Sequence, residues 1–145
     1  MRVTVLNGPN LNLLGTREPE IYGTTTLPEI EAMVRAEADR LGAVVLWRQT
    51  NHEGGLVDAI QQLPGTADGL VLNAAAYSHS SLAIRDALLA VRVPFIEVHL
   101  TDVSRRDEAR RRLVFADLAL ELITGKGPEG YRLALLALAR HLSAR

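Results

Sequence analysis

Residues 69–100 read GLVLNAAAYSHSSLAIRDALLAVRVPFIEVHL, and this stretch sets the architecture. Gly69 to Asn73 is a short β-rich run. Ser81 to Val91 carries apolar residues at helical spacing, with Ser80 or Ser81 available as a cap. Pro94 to His99 is again strand-like. A strand, a helix and a second strand in succession make a parallel crossover. The same alternation continues on both sides. Towards the N-terminus, Val3 to Asn7 reads as a strand and Thr26 to Leu41 as a helix. Thr26 and Glu29 form a capping-box pattern there, Pro28 sits in the first turn and Gly42 follows the end. Ala43 to Trp47 is a strand, and Leu56 to Leu63 is a helix stopped by Pro64-Gly65. Towards the C-terminus come a short polar helix from Ser104 to Arg112, a strand from Leu118 to Thr124 and a helix from Pro128 to Leu142. Leu133, Leu136, Ala137 and Arg140 keep helical spacing in the last.

Five strands alternating with five helices imply an α/β domain whose parallel sheet is covered on both faces. Right-handed crossovers favour a flavodoxin-like, doubly wound five-stranded parallel sheet of order 2-1-3-4-5. Its 145 residues suit one domain spanning 1–145, and 48% apolar residues suffice for a core. The net charge of −1 gives no electrostatic reason to expect nucleic acid or an anionic membrane as partner. Cysteine is absent, so disulfides and thiolate chemistry are excluded. No apolar run reaches the roughly 20 residues of a membrane span, and the first residues do not form a signal peptide. A cytoplasmic protein is the expectation.

In such sheets ligands bind beyond the carboxyl ends of the strands, near the switch in winding direction. Polar residues cluster there in four segments: Asn7-Gly8-Pro9-Asn10, Thr50-Asn51-His52-Glu53, Asn73 with Tyr77-Ser78-His79, and Glu97 with His99. Glu97 and His99 are two apart on a strand and share a face. A carboxylate there orients the imidazole and favours its protonated form, which suits a general acid. A structural hydrogen bond is the simpler reading of one such pair, and a metal site completed by His79 or His52 is a third.

The segment from Asn7 to Gly23 is far longer than the usual 2–6 residue connection, with a helical turn expected around Leu11 to Leu14. Gly15 and Gly23 bracket it as hinges, and Arg17 and Tyr22 lie inside. A guanidinium beside a phenol favours the phenolate, so Arg17 and Tyr22 can make a base. An exposed arginine and a packed tyrosine are the plainer alternative. Residues 105–112, RRDEARRR, interleave acids and lack aromatics, which reads as a solvated helix face. One arginine of that run can still reach over the sheet edge to a small polar ligand. Residues 125–130, GKGPEG, are neither a P-loop nor a dinucleotide fingerprint, and no nucleotide signal is present.

Together these strings resemble type II dehydroquinases. The resemblance runs from Val3 to about Tyr131. Its most specific part is NGPNLNLLGTREPEIYG at 7–23, followed by TNHEGGLVDAI, NAAAYSHSSLAIRDAL, IEVHLTDV and GPEGY. The resemblance implies a flavodoxin-like lyase acting on 3-dehydroquinate, with neither a metal nor an organic cofactor. It implies that Tyr22 removes the carbon 2 proton, with Arg17 promoting its phenolate. Asn10 stabilises the enolate oxygen through a water. His99, supported by Glu97, protonates the departing hydroxyl. Asn73, His79 and Arg110 bind ring hydroxyls, and the backbone of Leu100 and Thr101 receives the carboxylate. Asp86 reaches a neighbouring subunit in a homododecamer, a tetramer of trimers. The chain departs from the family pattern in Thr101, where serine is usual, in Gly55, where an acid is common, and in RRLVF at 111–115. Its single lysine, Lys126, lies in a glycine-rich turn and disfavours an imine route. A non-catalytic scaffold, a metal hydrolase using His79, Glu97 and His99, and a flavin carrier are the competing readings.

Overall fold

The computed structural model describes residues 1–16 and 18–145. In chain order, β1 is Arg2–Asn7, α1 Pro19–Tyr22, α2 Leu27–Leu41, β2 Val44–Gln49, α3 Glu53–Gln61 and β3 Gly69–Asn73. Then follow α4 Leu82–Val91, β4 Phe95–Val98, α5 Glu108–Arg111, β5 Glu121–Ile123 and α6 Glu129–Ser143. All strand pairs are parallel and the order is β2-β1-β3-β4-β5, the order expected of a flavodoxin-like sheet.

Strand alternation divides the core into two layers. Val3, Val5, Val71, Ile96 and Val98 face α2 and α6, where Ile30, Val34, Leu135 and Leu138 pack. Leu6, Leu70, Leu72 and Phe95 face α3 and α4, against Leu56, Ile60, Ile84 and Leu88. The same parity fixes the polar residues at the strand ends. Asn7 and Asn73, paired in register, follow the first face. Glu97 and His99 follow Phe95 onto the second. Thr26 caps α2 by accepting from the Glu29 N–H, and its hydroxyl donates to the Glu29 carboxylate. Ser81, not Ser80, caps α4 by accepting from Ile84 N–H.

Three expectations change. The helix expected from Ser104 to Arg112 is two short pieces: a 3-10 turn at Val103–Arg105 capped by Asp102, then α5. This stretch has no apolar stripe; only Val103 is buried, and Arg106 between the pieces is extended. Without a face to bury, a continuous helix gains little from packing. The strand expected from Leu118 to Thr124 is only Glu121–Ile123, preceded by a 3-10 turn at Ala116–Leu118. Helix α3 begins three residues before the expected Leu56, through Gly54 and Gly55, and ends before Leu63. A Cβ at Gly55 would come within 2.9 Å of the Thr50 hydroxyl, so an acidic residue there would require Thr50 to shift.

The long first connection contains the expected turn at Leu11–Leu13, in 3-10 form, and an unexpected short helix, α1, that carries Tyr22. Gly15 and Gly23 both have positive φ, 93° and 79°. Gly8 leaves β1 so close to β3 that a Cβ would lie 2.4 Å from the Ala74 carbonyl oxygen, while its N–H donates to Asn73 O at 2.8 Å. Among the described residues, no helix is long and apolar enough to cross a membrane.

Candidate active site

A cavity opens beyond the carboxyl ends of β1, β3 and β4, where the winding direction switches. Its space, partly open to solvent, is about 560 Å³. Pro9, Asn10 and Leu11 enter from the end of β1, Asn73, Ala75, Ala76 and His79 from β3, and His99, Leu100 and Thr101 from β4. Tyr22 of α1 and Val103, Arg106 and Arg110 complete the lining. Eight residues singled out from the sequence therefore meet in one place: Asn10, Tyr22, Asn73, His79, His99, Leu100, Thr101 and Arg110.

Glu97 stands behind His99. Its Oε2 lies 2.6 Å from His99 Nε2, with Glu97 fully buried and His99 5% exposed. The carboxylate accepts from Nε2, which leaves Nδ1 as the ring nitrogen able to exchange a proton with a ligand. The His79 ring stacks nearby, 6.1 Å from that of His99 and tilted by 26°. His79 Nδ1 is 2.8 Å from the Arg112 carbonyl oxygen, which can only accept, so Nδ1 carries the hydrogen. Burial holds the His79 pKa below the ordinary histidine value, against the opposing pull of that carbonyl. His79 is therefore a neutral imidazole with Nε2 free to accept.

Tyr22 receives a hydrogen bond from Arg106 Nη2 at 3.2 Å, and the Arg106 guanidinium carbon lies 5.4 Å from the centre of its ring. Arg106 Nη1 also donates to the Thr101 hydroxyl at 3.3 Å. Sequence reasoning missed this arginine, because in an arginine-rich run nothing marks which side chain turns inward. The break between the two helical pieces is what lets Arg106 do so. Arg110 reaches the cavity while held by both oxygens of Asp107, at 2.9 and 3.1 Å. Arg17 lies outside the described residues.

Beneath the cavity Asn73 has a second task. Its Nδ2 donates to Tyr131 Oη at 2.9 Å, and its Oδ1 accepts from Ala75 N–H at 3.1 Å. The Tyr131 hydroxyl donates in turn to Asn7 Oδ1 at 2.7 Å, and Asn7 Nδ2 to Arg48 O at 3.0 Å. This chain of amides and a phenol ties α6 to the ends of β1 and β3. Complete burial pushes the Tyr131 phenol pKa well up, so it stays protonated. Tyr22, half-buried at the cavity, is the tyrosine placed for acid–base work.

Asn10 is in the left-handed region, φ 69°, and its N–H donates to Asn51 Oδ1 at 3.0 Å. The segment after β2, expected to line the site, instead stands behind it: Asn51 supports Asn10, and neither His52 nor Glu53 reaches the cavity. Among the described residues, no three His, Asp or Glu side chains gather as metal ligands, and no described acceptor takes the N–H groups of Leu100 and Thr101. Asp86 is exposed on α4, away from this chain's own cavity.

The arrangement suits proton transfer on a small anionic ligand. It combines a phenol beside a guanidinium, an imidazole locked to a buried carboxylate, and two arginines.

A family model described as Dehydroquinase class II matches residues 1–139. A 3-dehydroquinate dehydratase of Bordetella pertussis is 54% identical over 143 residues, 97% of this chain and 98% of the relative. A catabolic 3-dehydroquinase of Aspergillus clavatus is 50% identical over 143 residues, 99% of this chain and 95% of the relative. The crystal structure of a type II dehydroquinase from Butyrivibrio crossotus is similar with a TM-score of 0.93 and 40% identity, over 96% of this chain and 97% of that one. Matched along nearly its whole length in sequence and in backbone, the chain belongs to the class II dehydroquinase family.

Proposed function

We propose that this chain removes water from 3-dehydroquinate to give 3-dehydroshikimate through an enolate. The observation that carries the reading is the meeting of Tyr22 and His99 in one cavity at the switch of the sheet, with Glu97 buried behind His99. Tyr22, as phenolate, takes the proton from carbon 2, and the C–H electron pair forms the enolate with its charge on the carbon 3 oxygen. Arg106 donates to the Tyr22 hydroxyl oxygen, and Arg17 is the second guanidinium assigned to it. Asn10, through a water, stabilises the enolate oxygen. The enolate then collapses, the carbon 1 to oxygen bond breaks, and His99 gives its proton so that the hydroxyl leaves as water. The carboxylate rests on the N–H groups of Leu100 and Thr101. Asn73, His79 and Arg110 hold the ring hydroxyls, with His79 Nε2 accepting from one of them.

The reaction needs neither a metal nor an organic cofactor, because a proton beside a ketone becomes removable once its enolate is stabilised. Lys126 is exposed between β5 and α6 and does not line the cavity, which leaves no amine for an imine. The enzyme works in the cytoplasm as a homododecamer of trimers, with Asp86 entering a neighbour's site. Biosynthesis of aromatic precursors and breakdown of quinate both fit, since the relatives include a bacterial dehydratase and fungal catabolic enzymes.

The test is direct. Purified protein mixed with 3-dehydroquinate should raise the ultraviolet absorbance of the conjugated product, and exhaustive treatment with a chelator should not slow it. No rise with folded protein would overturn the reading.

A further inference from the structure

Asn10, at the cavity, has a left-handed backbone. With φ 69° and ψ −4° it lies in a region unfavourable to most L-residues, which asparagine tolerates better than most. Such a residue keeps its place only where its surroundings over-determine it. Here they do so from β2. Gln49, the last residue of that strand, donates from Nε2 to Gly8 O and to Asn51 Oδ1, both at 3.1 Å, and Asn12 Oδ1 lies 3.4 Å from the same nitrogen. Asn51 Oδ1 therefore accepts twice, from Gln49 and from the Asn10 N–H. The Asn51 backbone is pinned in turn, because its carbonyl accepts from the Tyr77 hydroxyl at 3.0 Å. The Asn10 carbonyl is also occupied, accepting from Leu13 N–H at 2.9 Å. Its backbone is thus fixed on both sides where Asn10 lines the cavity. Gln49 and Asn51 themselves do not line that cavity.

We propose that Asn51 and Gln49 form a positioning bracket that aims the Asn10 amide at the water through which it stabilises the enolate oxygen. This rests on the reaction proposed above. The water that Asn10 holds must lie about 2.7–3.1 Å from the place the oxyanion will occupy. A displacement of about 1 Å can cost roughly 10²-fold in rate. The bracket fixes one residue of a long connection that contains two glycines of positive φ. It also gives the segment after β2 a part in the chemistry without touching substrate.

The experiment compares wild type, Asn51→Ala, Gln49→Met and the double variant, each checked for folding by circular dichroism. Asn51→Ala should lower kcat at least about tenfold with KM changed less than about threefold. Affinity for a ring analogue held flat at carbons 2 and 3 by a double bond should fall in parallel with kcat. Affinity for an analogue that is tetrahedral at carbon 3 should be unchanged. Gln49→Met should reproduce this pattern, and the double variant should be no worse than the weaker single one, since both break one unit. If Asn51→Ala fails to fold, Gln49→Met alone carries the comparison. Equal loss for both analogues would mark a merely structural contact and overturn the proposal, as would unchanged kcat in either folded variant. Failure of wild type to turn over 3-dehydroquinate would instead overturn the function on which the proposal rests.

Discussion

At the scale of single residues, the site sorts its titratable groups by environment. Tyr22→Phe keeps the ring and removes only the ionisable oxygen, so turnover should vanish with fold and assembly intact; near-normal kcat would remove Tyr22 as the base. His99→Ala should lower kcat by on the order of 10²–10⁴, the usual contribution of a general acid. Glu97→Gln should lower it less, because the amide keeps the shape of the pair but not its charge. Full activity in His99→Ala would exclude it as the acid. His79 supplies a pH dependence of the fold. Burial depresses its pKa, so as pH falls below the ordinary value of about 6.5 the unfolded chain takes a proton that the folded site refuses. Stability from this group is present above that pH and is lost as pH falls towards the folded value, below which the effect levels off. His79→Gln should flatten the urea midpoint between about pH 7 and pH 5. An unchanged slope would show that His79 does not titrate as its surroundings imply.

At the scale of elements, the strand ends are fixed by partners that no local pattern reveals. Tyr131 comes from the first turns of α6, yet its hydroxyl joins Asn7 of β1 to Asn73 of β3. Tyr131→Phe leaves the Asn7 oxygen and an Asn73 N–H without that partner in a sealed place, at a cost of about 1–3 kcal/mol. The melting temperature should fall by several degrees, with a smaller effect on turnover than Tyr22→Phe. An unchanged melting temperature would show the network to be energetically idle. The break between the Val103–Arg105 turn and α5 is the second element-level feature. It forfeits a continuous helix and releases Arg106 to reach Tyr22 and Thr101.

At the scale of the whole molecule, α4 presents Leu82 and Leu89, 64% and 49% exposed, on the same face as Asp86. Apolar side chains flanking a carboxylate outside the chain's own cavity fit a face covered by another subunit. The dodecamer proposed from the family resemblance predicts about twelve subunits in light scattering, and a stable monomer with full activity would refute the assembly. The parallel alternation and the edge that carries the cavity were legible in the sequence, while the strand order was a prior of the fold class. The alternation and the edge follow from local chemistry: strand and helix periodicities, the caps at Thr26 and Ser81, and the handedness of crossovers. Glu97 and His99 were legible as neighbours for the same reason, because two residues apart on a strand means one face. Arg106, Asn51 and Tyr131 were not. Each acts on residues distant in the chain, Arg106 on Tyr22, Asn51 on Asn10 and Tyr131 on Asn7, and each sits in a segment whose local pattern permits several side-chain directions. Periodicity decides which face of an element is buried. Only the packed sheet, by bringing the ends of β1, β2, β3 and β4 to one edge, decides which polar group finds which partner.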